Sequence, residues 1–279
     1  MTSQTKLVSI ILPTYNGEKH IKNSIESCLC QTYRNIELII VNDCSADGTL
    51  ELIKEYAEKD NRIRIVDNPK NIKLPASLNE GFRVSKGLLL TWTSDDNMFR
   101  ENAIERMVNM LSEKSADFIY CGYSVGDMNG NIECVRPPAD PKDMLFRNVV
   151  GACFLYTRQV YEAIGEYNVN LFCAEDYEYW SRIYRKGLKI VTCDEDLYIY
   201  RRHTNSLTST KSRLICLNTE KVIADNIASK GILPKEKSQI YLDYFKKSAL
   251  RTGYIFSARF FVKYIYFLAL SNFRKESAK

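Results

Sequence analysis

Several marks of common function classes are missing from this 279-residue chain. No G-x-G-x-x-G follows a strand-like run and no G-x-x-x-x-G-K-[ST] occurs, which excludes a dinucleotide fingerprint and a Walker-type phosphate loop. The nine cysteines, at 28, 30, 44, 121, 134, 153, 173, 193 and 216, contain no C-x-x-C pair and are odd in number. That disfavours structural zinc and a disulfide framework; reduced, buried thiols in the cytoplasm are the expectation. Charge of one sign barely predominates: 39 Lys and Arg against 34 Asp and Glu leave +5, so no nucleic-acid partner is expected. Histidine is scarce, at two residues. No repeat or low-complexity tract is visible. Residues 1–6 are polar and run straight into an apolar segment, so no signal peptide is expected before the fold.

What is present is a 45% hydrophobic chain, enough for one large domain or a domain with an appendage. Apolar runs at 7–12, 36–41, 63–66, 88–92 and 117–121 read as strands. Between them apolar residues recur at helical spacing: Ile21, Ile25 and Leu29; Leu52 and Tyr56; Ile104 and Val108. Strand and helix in alternation predict a parallel α/β sheet. Residues 126–148 read as a turn and an irregular loop, 175–186 as a helix ended by Gly187, and 188–193 and 197–200 as strands. After about residue 210 the pattern is helical throughout.

The strand at 88–92 delivers Thr93, Ser94, Asp95 and Asp96 to its carboxyl end, the edge where open α/β sheets bind ligands. Two adjacent carboxylates there repel each other unless a cation is present, and a hard divalent ion bridging to substrate phosphates is the natural one. Alone, the pair reads rather as a turn that caps the helix beginning near Arg100. The first loop, Pro13-Thr14-Tyr15-Asn16-Gly17-Glu18, offers a hydroxyl, an aromatic face and an amide, suited to a nucleoside but equally to a plain polar turn. In the second, Asp43 could accept hydrogen bonds from a base or ribose, whereas Asp47 suits the cap of the helix beginning near Thr49. Glu175-Asp176 opens a helix, where acids also favour the macrodipole.

Seven segments in order resemble the family 2 glycosyltransferases, inverting enzymes of the GT-A fold. They are Pro13-Thr14-Tyr15-Asn16; Val41 to Thr49; Asn71-x-x-Leu74-Pro75-Ala76-Ser77-Leu78-Asn79-x-Gly81; Ser94-Asp95-Asp96; Gly165-x-Tyr167; Glu175 to Trp180; and Leu197-Tyr198-x-Tyr200-Arg201-x-His203. The resemblance covers residues 7 to about 207. It implies that Thr14 and Tyr15 flank the nucleoside, Asp43 reads the base, Lys73 approaches the diphosphate, Asp95 ligates Mn²⁺ or Mg²⁺, and Asp96 turns to the donor sugar. It further implies Asp176 as catalytic base and His203 as a ligand of the metal or diphosphate. Pro13, Asn16, Thr93, Ser94, Glu175, Trp180 and Arg201 complete the implied substrate-binding set. Departures from the family pattern are Asn42 and Thr93 where Asp is frequent, and Cys44 and Lys73 where Gly is frequent.

The reading is an α/β fold: a GT-A type, Rossmann-like sandwich with a mostly parallel central sheet and a C-terminal helical appendage. Residues 1–210 form the catalytic domain, with a nucleotide-sugar half to about 120 and an acceptor half from about 121; residues 211–279 form the appendage. The expected partners are a nucleotide-sugar donor, most simply a UDP-sugar, and a saccharide or lipid-linked saccharide acceptor. A nucleotidyltransferase would need a basic, Gly-rich first loop, and a non-catalytic binding module would not need both Asp95 and Asp176. The basic excess lies in the tail: Lys246, Lys247, Arg251, Arg259, Lys263, Arg274, Lys275 and Lys279 against Glu276 alone within 246–279. Residues 254–273 are expected to form an amphipathic helix with Arg259, Lys263 and Arg274 on one face and Phe256, Phe260 and Phe267 entering an anionic membrane surface. That would place the protein peripherally on the inner face of the membrane. Packing on the catalytic domain or in a homo-oligomer is the alternative.

Overall fold

The computed structural model describes residues 5–229, 234–252 and 254–276. The chain divides into two compact units, Met1–Met144 with Asn148–Thr204, and Leu145–Arg147 with Asn205–Lys279.

In the first unit, β1 (Val8–Thr14), β2 (Ile36–Asn42), β3 (Ile63–Asp67) and β4 (Leu89–Trp92) lie in the order β3-β2-β1-β4, all parallel. β1 and β2 are near-continuous Val, Ile and Leu because both faces are covered, as parallel strands require. Their helices are α1 (Ile21–Leu29), α2 (Thr49–Lys59) and α3 (Leu74–Val84). α3 comes close to β1 and β2 at Gly81, where a methyl group would overlap the Ile11 side chain.

The sheet continues through β8 (Phe154–Thr157), β6 (Phe118–Asp127), β9 (Ile190–Arg202) and β5 (Met98–Phe99). β8 runs antiparallel to β4 and β6, and β5 antiparallel to β9, while β9 runs parallel to β6. The whole is the expected α/β fold, a mixed sheet whose first half is purely parallel. Two sequence expectations change. The segment 126–148 holds an extra strand, β7 (Ile132–Arg136), antiparallel to the later part of β6; four of its five residues are exposed, so it lacks an apolar signal. The two strands read at 188–193 and 197–200 are one bulged strand, β9. Helices α4 (Ala103–Glu113), α5 (Arg158–Ile164) and α6 (Glu175–Lys186) complete the unit, α6 ending on left-handed Gly187.

The second unit contains α7 (Leu207–Thr210), α8 (Ser212–Ser229), α9 (Pro234–Thr252) and α10 (Tyr254–Glu276). The expected orientation of the last helix is corrected here. Phe260 is fully buried with its ring 4.7 Å from that of Tyr244, and Phe267 stacks on Tyr241 at 5.6 Å. Lys263 Nζ pairs with Glu220 Oε1 at 2.6 Å. These side chains bind α10 to α8 and α9 rather than to lipid, because aromatic area is buried most effectively against other aromatics. The side chains of Phe256, Arg259 and Arg274 lie outside the described residues. Among the described residues no helix is long and apolar enough to cross a membrane.

Candidate active site

Because β1, β2, β3 and β4 are parallel, the loops that follow them emerge at one edge of the sheet. The first loop is locked to the second: Asn16 Oδ1 accepts from Ala46 N at 2.8 Å and Asn16 N donates to Ser45 Oγ at 3.0 Å. Asn16 therefore works as a brace, while Tyr15, half exposed, is free to stack. Pro13 and Thr14 are buried at the end of β1. Asp47 Oδ1 accepts from Thr49 N at 3.2 Å, at the start of α2.

Asp43 folds back onto the loop leading to α3. Its carboxylate accepts from Ile72 N at 2.8 Å, Lys73 N at 2.9 Å and Asn68 Nδ2 at 3.1 Å. This clamp holds Lys73 at φ 73°, ψ 162°, a region that is nearly reserved for glycine. Cys44, at φ 61°, is likewise left-handed. Both positions are those where the family pattern often has Gly, and the backbone gives the reason.

β4 ends at the acidic pair. Thr14 Oγ1 donates to Asp95 Oδ2 at 2.5 Å, and His203 Nε2 lies 2.9 Å from Asp96 Oδ2. Asp96 Oδ1 is buried with no partner. Burial and the neighbouring Asp96 push the Asp95 carboxyl up to about 7. Gly17 lets the first loop pass this close, since a methyl group there would overlap Asp95 Oδ2 and Thr14 Oγ1. The two carboxylates, one of them with the unsatisfied buried oxygen, and the imidazole are donor types that divalent cations take. Among the described residues, no three His, Cys, Asp or Glu side chains already converge on one point.

The geometry pairs His203 with Asp96, not with Asp95. Three other expected contacts are reassigned. Thr93 is buried and shares a 2.6 Å hydrogen bond with Tyr198 OH, so it points into the core rather than at a ribose. Arg201 is buried; its Nε donates to Asp96 O at 2.5 Å and its backbone N to Asn97 Oδ1 at 2.8 Å. It fixes the Asp95-Asp96-Asn97 turn instead of contacting substrate. Trp180 is fully buried, stacked on Phe118 at 5.0 Å, and is a core residue because α6 turns that face to the sheet. Ser94 is half-buried beside the pair. His20, which carries no sequence signal, sits 4.9 Å ring to ring from His203; burial, then the charges of His203 and Arg201, hold its pKa below the usual histidine value.

A second acidic pair opens α6. Glu175 is buried, with Oε2 unpartnered, and burial plus the Asp176 charge push its carboxyl up to about 8. Asp176 is half-buried, its Oδ1 accepting from Tyr177 N at 2.7 Å and its Oδ2 from Asn148 Nδ2 at 2.7 Å. Burial raises the pKa of Asp176, and those two donors oppose the rise. Asn148 escaped the sequence reading because it is 28 residues from its partner, in an irregular loop. The two pairs are joined through the core: Trp92 Nε1 donates to Tyr167 OH at 3.0 Å, and Tyr167 stacks on Tyr179 at 4.2 Å, one turn into α6. Asn79, from the α3 motif, holds Tyr167 by both its backbone groups, at 2.9 and 2.8 Å.

Residues 9–165 match the profile of glycosyl transferase family 2. The chain belongs to that family. An uncharacterized glycosyltransferase of Rickettsia prowazekii is 30% identical over 217 residues, covering 73% of this chain and 66% of that protein. TuaG of Bacillus subtilis, a glycosyltransferase named for teichuronic acid biosynthesis, is 28% identical over 216 residues, covering 76% of this chain and 85% of TuaG. Among solved structures, residues 1–349 of S. aureus TarS in complex with UDP-GlcNAc align with TM-score 0.63 and 15% identity, over 97% of this chain and 92% of that one. The Pyrobaculum calidifontis mannosyltransferase PcManGT, with GDP-Man and Mn²⁺, gives TM-score 0.62 and 15% identity over 98% and 89%. At those identities the two structures establish the GT-A fold of this family 2 member.

Proposed function

We propose that this glycosyltransferase moves a sugar, with inversion, from a uridine diphosphate sugar to a saccharide hydroxyl of a cell-surface glycan precursor. The observation that carries the reading is the buried, unpartnered Asp96 Oδ1 beside Asp95 and His203, at the ligand edge of the parallel half-sheet. Asp95, Asp96 and His203 would hold a divalent cation whose shell the donor phosphates and water complete. When bound, that cation neutralises charge on the departing diphosphate, so no general acid is required there. Tyr15 offers a face to the base. The TuaG and TarS likenesses support a surface-glycan acceptor and a UDP-sugar.

Asp176 is the general base. The acceptor oxygen forms its bond to the anomeric carbon as the bond from that carbon to the diphosphate oxygen breaks, and the hydroxyl proton passes to Asp176. Tyr177 N and Asn148 aim the carboxylate and leave each oxygen a lone pair to receive the proton. Glu175 keeps its own proton, which leaves the negative charge on Asp176, since two adjacent buried carboxyls cannot both ionise cheaply. The test is calorimetry with UDP- and GDP-sugars, with and without manganese or magnesium. Metal-dependent binding of a UDP-sugar supports the reading; binding indifferent to metal, or confined to GDP-sugars, overturns it in that respect.

A further inference from the structure

The inward face of α10 is accounted for by Phe260, Lys263 and Phe267. Its outward face is apolar and open. Val262, Ile265 and Tyr266 are 66%, 47% and 59% exposed, with Ala258 and Ala269 exposed beside them, and Phe261, 42% exposed, flanks them with its ring 5.3 Å from that of Phe245 in α9. These six positions recur at intervals of three and four, so they form one stripe ~16 Å long on a single helix face. No Asp or Glu occurs between residues 258 and 270. An exposed apolar stripe of this kind marks a docking surface.

We propose that this face lies in the headgroup boundary of an anionic lipid bilayer, with α10 parallel to the membrane plane. No described helix can cross a bilayer, so an in-plane helix is the membrane geometry left to it. The surrounding charge suits lipid phosphates: besides Lys263, which is paired inward with Glu220, residues 246–279 carry seven Lys and Arg against Glu276 alone, and Lys246 is exposed. Tyr266 has the apolar body and polar tip favoured at such boundaries. A second copy is the weaker occupant, because pairing two such faces brings two cationic segments together. The lipid-facing side chains are thus Phe261, Val262, Ile265 and Tyr266, not the Phe260 and Phe267 that the sequence suggested.

The full chain is tested by flotation with vesicles of phosphatidylcholine alone and of phosphatidylcholine with phosphatidylglycerol, without donor or acceptor. Binding to the anionic vesicles at low salt, weakened at high salt, is expected. The double substitution V262E/I265E should reduce bound protein about tenfold or more, with unchanged far-UV circular dichroism and donor hydrolysis. As a second measurement, I265W should emit at shorter wavelength when anionic vesicles are added and be quenched by brominated lipid. Wild-type protein that ignores anionic vesicles at low salt overturns the proposal, as does undiminished binding by the double variant. A concentration-dependent dimer abolished by V262E/I265E, without vesicle binding, assigns the face to a second copy instead. Donor binding and vesicle binding are separate readouts, so this proposal and the proposed reaction fail independently.

Discussion

Asp95-Asp96 and Glu175-Asp176 are chemically alike, two neighbouring carboxyls each, yet their surroundings differ. The first pair ends a strand, with Thr14 and His203 around it and one buried oxygen left unsatisfied. The second opens a helix, where backbone N–H groups and Asn148 hold one acid and burial keeps a proton on the other. In both, adjacency makes joint ionisation costly. In the proposed reading, a divalent cation would relieve the strand-end pair, where burial and Asp96 also push the Asp95 carboxyl up. The helix-start pair would be relieved by a proton on Glu175, whose carboxyl burial pushes up, and in the proposed reading that leaves Asp176 to accept another. The surroundings of each pair, more than its residue types, set the two apart.

The largest expected effect separates the two pairs. Asp176→Asn should lower transfer about 10²- to 10⁴-fold while leaving metal-dependent donor affinity unchanged, measured by product formation and calorimetry. A mild loss of turnover would transfer the role of base to another group. Next, Asp95→Asn should weaken metal-dependent donor binding about a hundredfold, in line with losing a metal ligand, and leave metal-free binding as it was. Equal metal dependence in mutant and wild type would remove Asp95 from the cation's shell.

Much of this contrast was legible in the chain. The parallel half-sheet, the strand-end acids and the helix at Glu175 follow from apolar runs and spacing, which are local signals. What escaped was set by distance in sequence. Asn148 meets Asp176, His20 meets His203, and Thr93 turns inward to Tyr198, and no local pattern encodes those meetings. Motif residues also proved to have structural tasks: Trp180 packs in the core, Arg201 braces the Asp96 turn and Asn79 holds Tyr167. In the tail, helical periodicity was visible, but which face turned inward depended on Tyr241 and Tyr244 of another helix.

The retained proton on Glu175 gives a third test. Its carboxyl titrates higher folded, at about 8, than unfolded, so between pH ~4.5 and 8 the folded state binds more protons. The stability contributed is full below pH ~4.5 and lost as pH rises through 8. Glu175→Gln, which mimics the neutral acid, should flatten that slope by roughly 3 kcal/mol between pH ~5.5 and ~8.5, read from urea unfolding at those two pH values. An unchanged slope would mean that Glu175 ionises freely and the two pairs are not handled differently. Asn148→Ala should act more weakly, lowering kcat about tenfold. Losing a donor that lowers the Asp176 pKa should move the acidic limb of the pH–rate profile upward. A loss of kcat without that shift would make Asn148 merely structural.

The smallest effect concerns the loops that flank the strand-end pair. Lys73 sits at φ 73°, ψ 162°, clamped by the Asp43 carboxylate through its N–H. A side chain in that region costs about 1–3 kcal/mol. Lys73→Gly removes the cost but loosens the unfolded chain by about 0.5–1 kcal/mol. The net expectation is stabilisation of ~1 kcal/mol, whereas Lys73→Ala keeps the strain and gains nothing. Comparing the two isolates the backbone from the ammonium. If the ammonium meets the diphosphate, both variants lose donor affinity equally while differing in stability. Should Gly and Ala prove equally stable, the Asp43 clamp is not holding Lys73 in a strained form. Should both also keep full donor affinity, the strand-end site would have to take its positive charge from the cation, without Lys73.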